Sequence, residues 1–145
     1  MTKPEPPLRE HYPATVQIST RWNDNDVYGH VHNIIYYSWF DTAVNQYLIQ
    51  SGALDIHGGE VIGLVVESGC SYFDSVTFPD LIVAGLKVDR IGNSSVHYSI
   101  GLFKNDEQTA CASGHFVHVY VNRASRRPVS IPNQFLQVLR TLESK

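Results

Sequence analysis

The residues best able to do chemistry fall in one short run, Arg21-Trp22-Asn23-Asp24-Asn25-Asp26-Val27-Tyr28-Gly29-His30-Val31-His32-Asn33. Two carboxylates, Asp24 and Asp26, and two imidazoles, His30 and His32, share nine consecutive positions. A carboxylate can attack a carbonyl carbon or take a proton from water. The same four side chains are of metal-ligand type, but short D-x-D and H-x-H patterns are common in ordinary loops, and no metal is expected. Tyr28-Gly29 lets the chain turn tightly and brings backbone close to a ligand. The run ends where a helix begins. Free N–H groups at a helix start carry partial positive charge, which suits a developing oxyanion.

The elements that must position this run can be read from periodicity. Residues 15–21 are β-branched and alternate, which predicts a strand, and residues 22–32 read as a loop. From Asn33 to Gln50 the pattern is helical, with Asn33 as a possible N-cap and Gly52 as a stop. Ser38, Asp41, Thr42 and Asn45 form a narrow polar stripe, and most other helix positions are apolar, so the helix is expected to be buried. After Gly58-Gly59, segments 61–77, 80–91, 94–104 and 108–122 are rich in Val, Ile, Tyr and Thr. Breaks at Phe78-Pro79, Gly92-Asn93 and Asn105-Asp106 predict successive hairpin-type joins and an antiparallel meander. A short final helix is expected over 133–142. The architecture implied is α+β, with an antiparallel sheet of about five strands curled round one long helix. The exposed edges of such a sheet call for an oligomer.

Length and composition narrow the classes. The chain of 145 residues fits one domain, with residues 1–14 as a Pro-rich N-terminal arm of low order and 15–145 as the domain. Charged residues are 17% and apolar residues 43%, which excludes a disordered chain. A net charge of -3 argues against a general nucleic-acid binder, and no apolar run is long enough to span a membrane. Cys70 and Cys111 have no metal-type or disulfide-framework spacing, so a cytoplasmic setting is expected. Charge is lopsided. Residues 11–80 hold eight acids and one base, whereas residues 81–145 hold eight bases and four acids. A basic C-terminal half suits a phosphorylated ligand, although a solvated surface has the same signature.

The run from Arg21 resembles the signature of hotdog-fold acyl-CoA thioesterases of the 4-hydroxybenzoyl-CoA thioesterase-like group. That signature is roughly R-[WFY]-x-D-x-D-x-x-G-H-V-N-N-x-x-Y, followed by an acidic residue and Ala. Arg21, Trp22, Asp24, Asp26, Gly29, His30, Val31, Asn33, Tyr36, Asp41 and Ala43 match it in register. His32 stands where Asn is commonest, and Val44 where Arg often follows. The resemblance implies a hotdog fold and hydrolysis of an acyl-CoA to free acid and CoA. It implies no cofactor, since coenzyme A is part of the substrate. It also implies a homodimer or homotetramer, in which one subunit's helix is joined by another subunit in forming the pocket.

By the resemblance, Asp26 is the catalytic carboxylate, as nucleophile or general base. Backbone N–H groups near His32 and Asn33 would polarise the thioester carbonyl. His30 would orient Asp26, bind the carbonyl oxygen, or serve only structurally. Asp24 is read as fixing the loop through local N–H groups. Tyr28, Gly29 and His32 are placed near substrate. Tyr36, Tyr37 and Phe40 either line an acyl pocket or pack the core. Glu67, in a strand, is a second candidate base or a sheet-surface residue. His115 and His118 fall on opposite strand faces and so do not form one site. For the nucleotide end of CoA the resemblance points to Arg90, Asn93, Ser94 and Ser95, with Arg123–Arg127 as a second basic loop. Two other readings stand beside hydrolysis: an enoyl-CoA hydratase-type enzyme and a non-catalytic acyl-CoA binding protein on the same fold.

Overall fold

The computed structural model describes residues 5–52 and 60–143. The Gly58-Gly59 break lies outside the described residues. Strand β1 (Ala14–Ser19) leads through a loop into helix α1 (Asn33–Gln50). Four longer strands follow: β2 (Val61–Tyr72), β3 (Leu81–Ile91), β4 (Ser95–Lys104) and β5 (Ala112–Asn122). Helix α2 (Asn133–Thr141) comes last. One antiparallel sheet holds all five strands in the order β1-β3-β4-β5-β2, the α+β hotdog arrangement the sequence implied.

The expected simple meander holds only for β3-β4-β5. Strand β2 pairs with β5 along its length and forms the far edge of the sheet. The Phe78-Pro79 break is therefore part of a crossover, not a hairpin. Eight residues at about 3.3 Å each easily span three strand spacings of about 4.8 Å. The crossover is pinned midway by Val76, which is fully buried, and near its start by the Phe73 and Asp74 N–H groups, which donate to the Cys111 carbonyl at 2.8 and 3.0 Å. The Asn105-Asp106 break opens a longer connection, because β5 begins only at Ala112.

Alternation explains the core. Ile82, Ala84, Leu86 and Val88 of β3 and Val96, Tyr98, Ile100 and Leu102 of β4 all face α1 and are buried. From α1 they meet Tyr36, Trp39, Phe40, Ala43, Val44 and Leu48. Each large side chain buried this way contributes about 1.5–3 kcal/mol. Phe40 reaches the sheet because Gly114 has no side chain: a Cβ there would stand 2.5 Å from the Phe40 ring.

Residues 8–12 of the N-terminal arm pack on the sheet. Leu8 bridges Thr109, and the Arg9 guanidinium donates to the carbonyls of Asn105 (2.8 Å) and Glu107 (2.7 Å). The Tyr12 ring seats over Gly85 and Gly101 and packs edge-on to Phe103, with centroids 5.8 Å apart. The arm thus covers part of the outer sheet face.

Candidate active site

The loop between β1 and α1 is built on Asp24. This carboxylate is 1% exposed. Its Oδ2 accepts the Arg21 main-chain N–H at 2.7 Å, and its Oδ1 accepts the Arg21 guanidinium from Nε (3.0 Å) and Nη2 (2.8 Å). The Asp24 carbonyl in turn accepts the His32 N–H at 2.9 Å. One residue therefore ties the end of β1 to the start of α1, the structural role expected of it.

Asp26 organises the tip of the loop and is half-buried. Its N–H donates to the His30 carbonyl at 2.8 Å. Its Oδ1 accepts the N–H groups of Tyr28 (2.8 Å) and His30 (3.4 Å). Gly29 closes the turn at φ 84°, a conformation that strains any residue with a side chain. The Thr77 hydroxyl donates to the Gly29 carbonyl at 2.6 Å, and Val31 N–H donates to the Val76 carbonyl at 2.8 Å. The crossover thus clamps the loop from below. Thr77 and Val76 carried no motif in the sequence, because only the topology brings them here.

Helix α1 begins with His32, not Asn33, as its N-cap, and the His32 side chain makes no capping hydrogen bond. The His32 N–H, expected to face substrate, is taken by Asp24. The Asn33 and Ile34 N–H groups donate to no acceptor among the described residues. Two amides at the mouth of an 18-residue helix are thus left for a ligand oxygen. His30 acts on Asp26 through its main chain, and its exposed imidazole makes no hydrogen bond among the described residues.

The aromatic residues divide. Tyr36 is buried edge-on to Trp39 (5.1 Å) and Tyr72 (4.9 Å). Phe40 is fully buried and spends its ring on Gly114, so it is core in this chain and lines no open surface. Tyr37 is half-buried against Phe40, and Tyr28 is 85% exposed beside Asp26. The Tyr72 hydroxyl donates to the Asn33 carbonyl at 3.2 Å. Sequence reasoning passed over Tyr72. Its parity with Cys70 placed it on one strand face, but nothing local said that this strand flanks α1. Burial pushes the phenols of Tyr36 and Tyr72 up, and pushes the Cys70 thiol up to about 11. All three stay protonated at neutral pH, so none is a ready base or thiolate.

Other candidates lie elsewhere. Glu67 is on the outer sheet face, with its carboxylate 3.3 Å from His115 Nε2, and both side chains are exposed. It is a sheet-surface residue and does not meet Asp26 within one chain. His118 is on the opposite face and 2% exposed, so the two imidazoles are separate, as strand parity required. Arg90 pairs with His97 near the end of β3, and the turn holding Asn93 and Ser94 follows it, with Ser95 opening β4. That turn is tied to the C-terminal segment: Ile131 N–H donates to the Asn93 carbonyl at 3.0 Å, and Tyr120 N–H to the Ser94 carbonyl at 2.7 Å. Strand β3 separates this end from the crossover by about 33 Å at 3.3 Å per residue. One chain therefore does not bring Asp26 and Arg90 together. Among the described residues no group of three or more His, Cys, Asp or Glu side chains could hold a metal ion, and no helix is long and apolar enough to cross a membrane.

The family model of the thioesterase-like superfamily matches residues 20–139. Among solved structures, the PA5185 protein from Pseudomonas aeruginosa strain PAO1 is 58% identical, with a TM-score of 0.94, covering 98% of this chain and 99% of that one. The PA2801 protein from Pseudomonas aeruginosa, provisionally named a thioesterase, is 28% identical, with a TM-score of 0.82 and coverage of 88% and 98%. Slr0204, a 1,4-dihydroxy-2-naphthoyl-CoA thioesterase from Synechocystis, shares the fold at 14% identity, with a TM-score of 0.79 and coverage of 87% and 94%.

Proposed function

The chain belongs to the thioesterase-like superfamily, and from that premise we propose that it hydrolyses an acyl-CoA thioester to the free acid and CoA, with Asp26 as the reacting carboxylate. The observation that carries this reading is a half-buried Asp26 in the loop that runs directly into α1, whose Asn33 and Ile34 N–H groups find no acceptor among the described residues. Loop and helix start are held by the same contacts, Asp24 to His32 and Val76 to Val31. In one route an Asp26 oxygen attacks the thioester carbon, the C–S bond breaks, and CoA leaves as thiolate. Water then cleaves the resulting anhydride and restores Asp26. In the other, Asp26 takes a proton from water, which attacks directly. Either way negative charge gathers on the carbonyl oxygen, where two amides can receive it. The thiolate is a good leaving group, so little acid catalysis is required.

A second copy of the chain completes the site in this reading. Among the described residues strand β2 is an edge with an unpaired side, and it exposes Leu64 (37%), Val65 (46%) and Val66 (59%). Beside the start of α1, Ile34 is 67% exposed, and Asp41, Thr42, Asn45, Gln46 and Ile49 line an open groove along the helix. Antiparallel pairing of two β2 edges sets the Tyr72 end of one copy against the Val61 end of the other. The Arg123 N–H donates to the Glu60 carbonyl at 2.7 Å, so the basic 123–127 loop sits at that second end. The partner's basic loop then approaches the acidic Asp26 loop, where CoA phosphates need cations. Homodimer or homotetramer, a small-molecule acyl-CoA partner, and a cytoplasmic setting for the free thiols of Cys70 and Cys111 all belong to this proposal.

The test is thiol release across short, long, branched and aromatic CoA thioesters, with Asp26→Asn as control. Hydrolysis gives thiol from wild type and at least ~10²-fold less from the variant. Loss of enoyl absorbance without thiol would establish a hydratase instead, and saturable binding with neither would establish a carrier.

A further inference from the structure

Helix α1 starts without a side-chain cap, yet its first turn supplies the two unused amides. A first turn held only by its own hydrogen bonds frays, and its N–H groups lose direction. Beside the Asp24–His32 and Val76–Val31 bonds, a further tether reaches the first turn from strand β2. Tyr72, the last residue of edge strand β2, donates its hydroxyl hydrogen to the Asn33 carbonyl at 3.2 Å. Its ring stands edge-on to Tyr36, with centroids 4.9 Å apart and planes at 89°. Tyr36 is in turn 4% exposed and locked against Trp39. A chain of three rings thus fixes the end of β2 to the first two turns of α1. Tyr72 itself is 42% exposed, so its phenol is not needed merely to fill the core.

We propose that Tyr72 is a positioning residue for thioester hydrolysis: its hydrogen bond to the Asn33 carbonyl holds the Asn33 and Ile34 N–H groups in the direction that receives the oxyanion. The proposal rests on the hydrolase reading of the site. Oxyanion donors act only when aimed, and small misplacements cost rate far more than binding. Tyr72 touches no reacting atom; it acts through the helix start.

The experiment is steady-state hydrolysis by Tyr72→Phe, which keeps the ring and its contact with Tyr36 and removes the hydroxyl with its bond to the Asn33 carbonyl and its contacts with the Cys70 and Tyr37 side chains. The expected result is a kcat about tenfold lower, with KM within about twofold of wild type, an unchanged pH profile, and a Tm within about 2 °C. An unchanged kcat overturns the proposal. So does a rise in KM alone, which would mean that the phenol binds ground-state substrate, or a kcat that falls only in step with Tm, which would mean general loosening. If wild type releases no thiol from any CoA ester, the hydrolase reading falls and this role falls with it. If wild type is active and Tyr72→Phe is indistinguishable from it, the role alone falls.

Discussion

The molecule treats polar groups in opposite ways at two places on the helix side of its sheet. In the loop that runs into α1, the Asp26 carboxylate has backbone partners and stands half in solvent, and the helix start that follows has amides without acceptors among the described residues. Farther along the sheet, His118 is 2% exposed, and among the described residues neither of its ring nitrogens has a hydrogen-bond partner. The His118 ring lies 5.6 Å from that of Tyr98 and 5.0 Å from that of Phe116. The open region keeps its donors ready at little cost in stability. The closed region carries polar atoms whose burial weakens the fold, at about 1–3 kcal/mol for each unsatisfied group. Reactivity should therefore map to the first region and acid sensitivity to the second.

The sharpest test of that division is Asp26→Asn. Turnover should fall at least ~10²-fold while Tm stays within a few degrees, as read by thiol release and thermal melting. A comparable loss of stability would merge the two regions. Next is pH. Burial lowers the pKa of His118 to about 4, below its ordinary 6.5. Above pH 6.5 the imidazole is neutral in both folded and unfolded chains. As pH falls from 6.5 towards 4 the unfolded chain takes the proton first, so stability drops, by roughly 3 kcal/mol in all, and the loss levels off below about 4. Denaturant titrations of wild type and His118→Phe should show this slope in the first and a flatter one in the second, with turnover at neutral pH little changed.

Asp24→Ala probes the link between loop and fold. It removes the carboxylate that accepts the Arg21 N–H and guanidinium, and it should cost about 2 kcal/mol and also lower kcat, because the loop that carries Asp26 is anchored there. Val66→Lys on the exposed stretch of β2 should shift the protein towards monomer in sedimentation and lower activity at low concentration. The smallest effect is expected at the far basic loop. Arg127→Ala should raise KM for CoA esters a few-fold, and should leave a short thioester lacking the nucleotide unaffected.

Much of this was legible locally. Helix Asn33–Gln50 runs over the span its periodicity predicts, and β2 to β5 fall within or close to their alternating segments. The Asp24 clamp also follows from a short polar residue placed beside free N–H groups. Three features were not legible. Strand β2 joins β5 because an eight-residue crossover can reach the other edge, and no local signal separates that from a hairpin. His32 takes the cap position, and its N–H goes to Asp24, because the loop closes one residue earlier than side-chain preference suggests. Phe40 packs inward because Gly114 leaves room for its ring against the sheet.

The sequence by itself determined the elements, the α+β class and the identity of the loop that carries Asp26. These depend on residue type and short-range spacing, which a linear chain states outright. Tertiary structure alone decided which amides stay free, that Tyr72 meets the helix start, and that Arg90 lies far from Asp26 in the same chain. Those facts depend on strand order, and strand order is set by long-range pairing and burial that no local window contains.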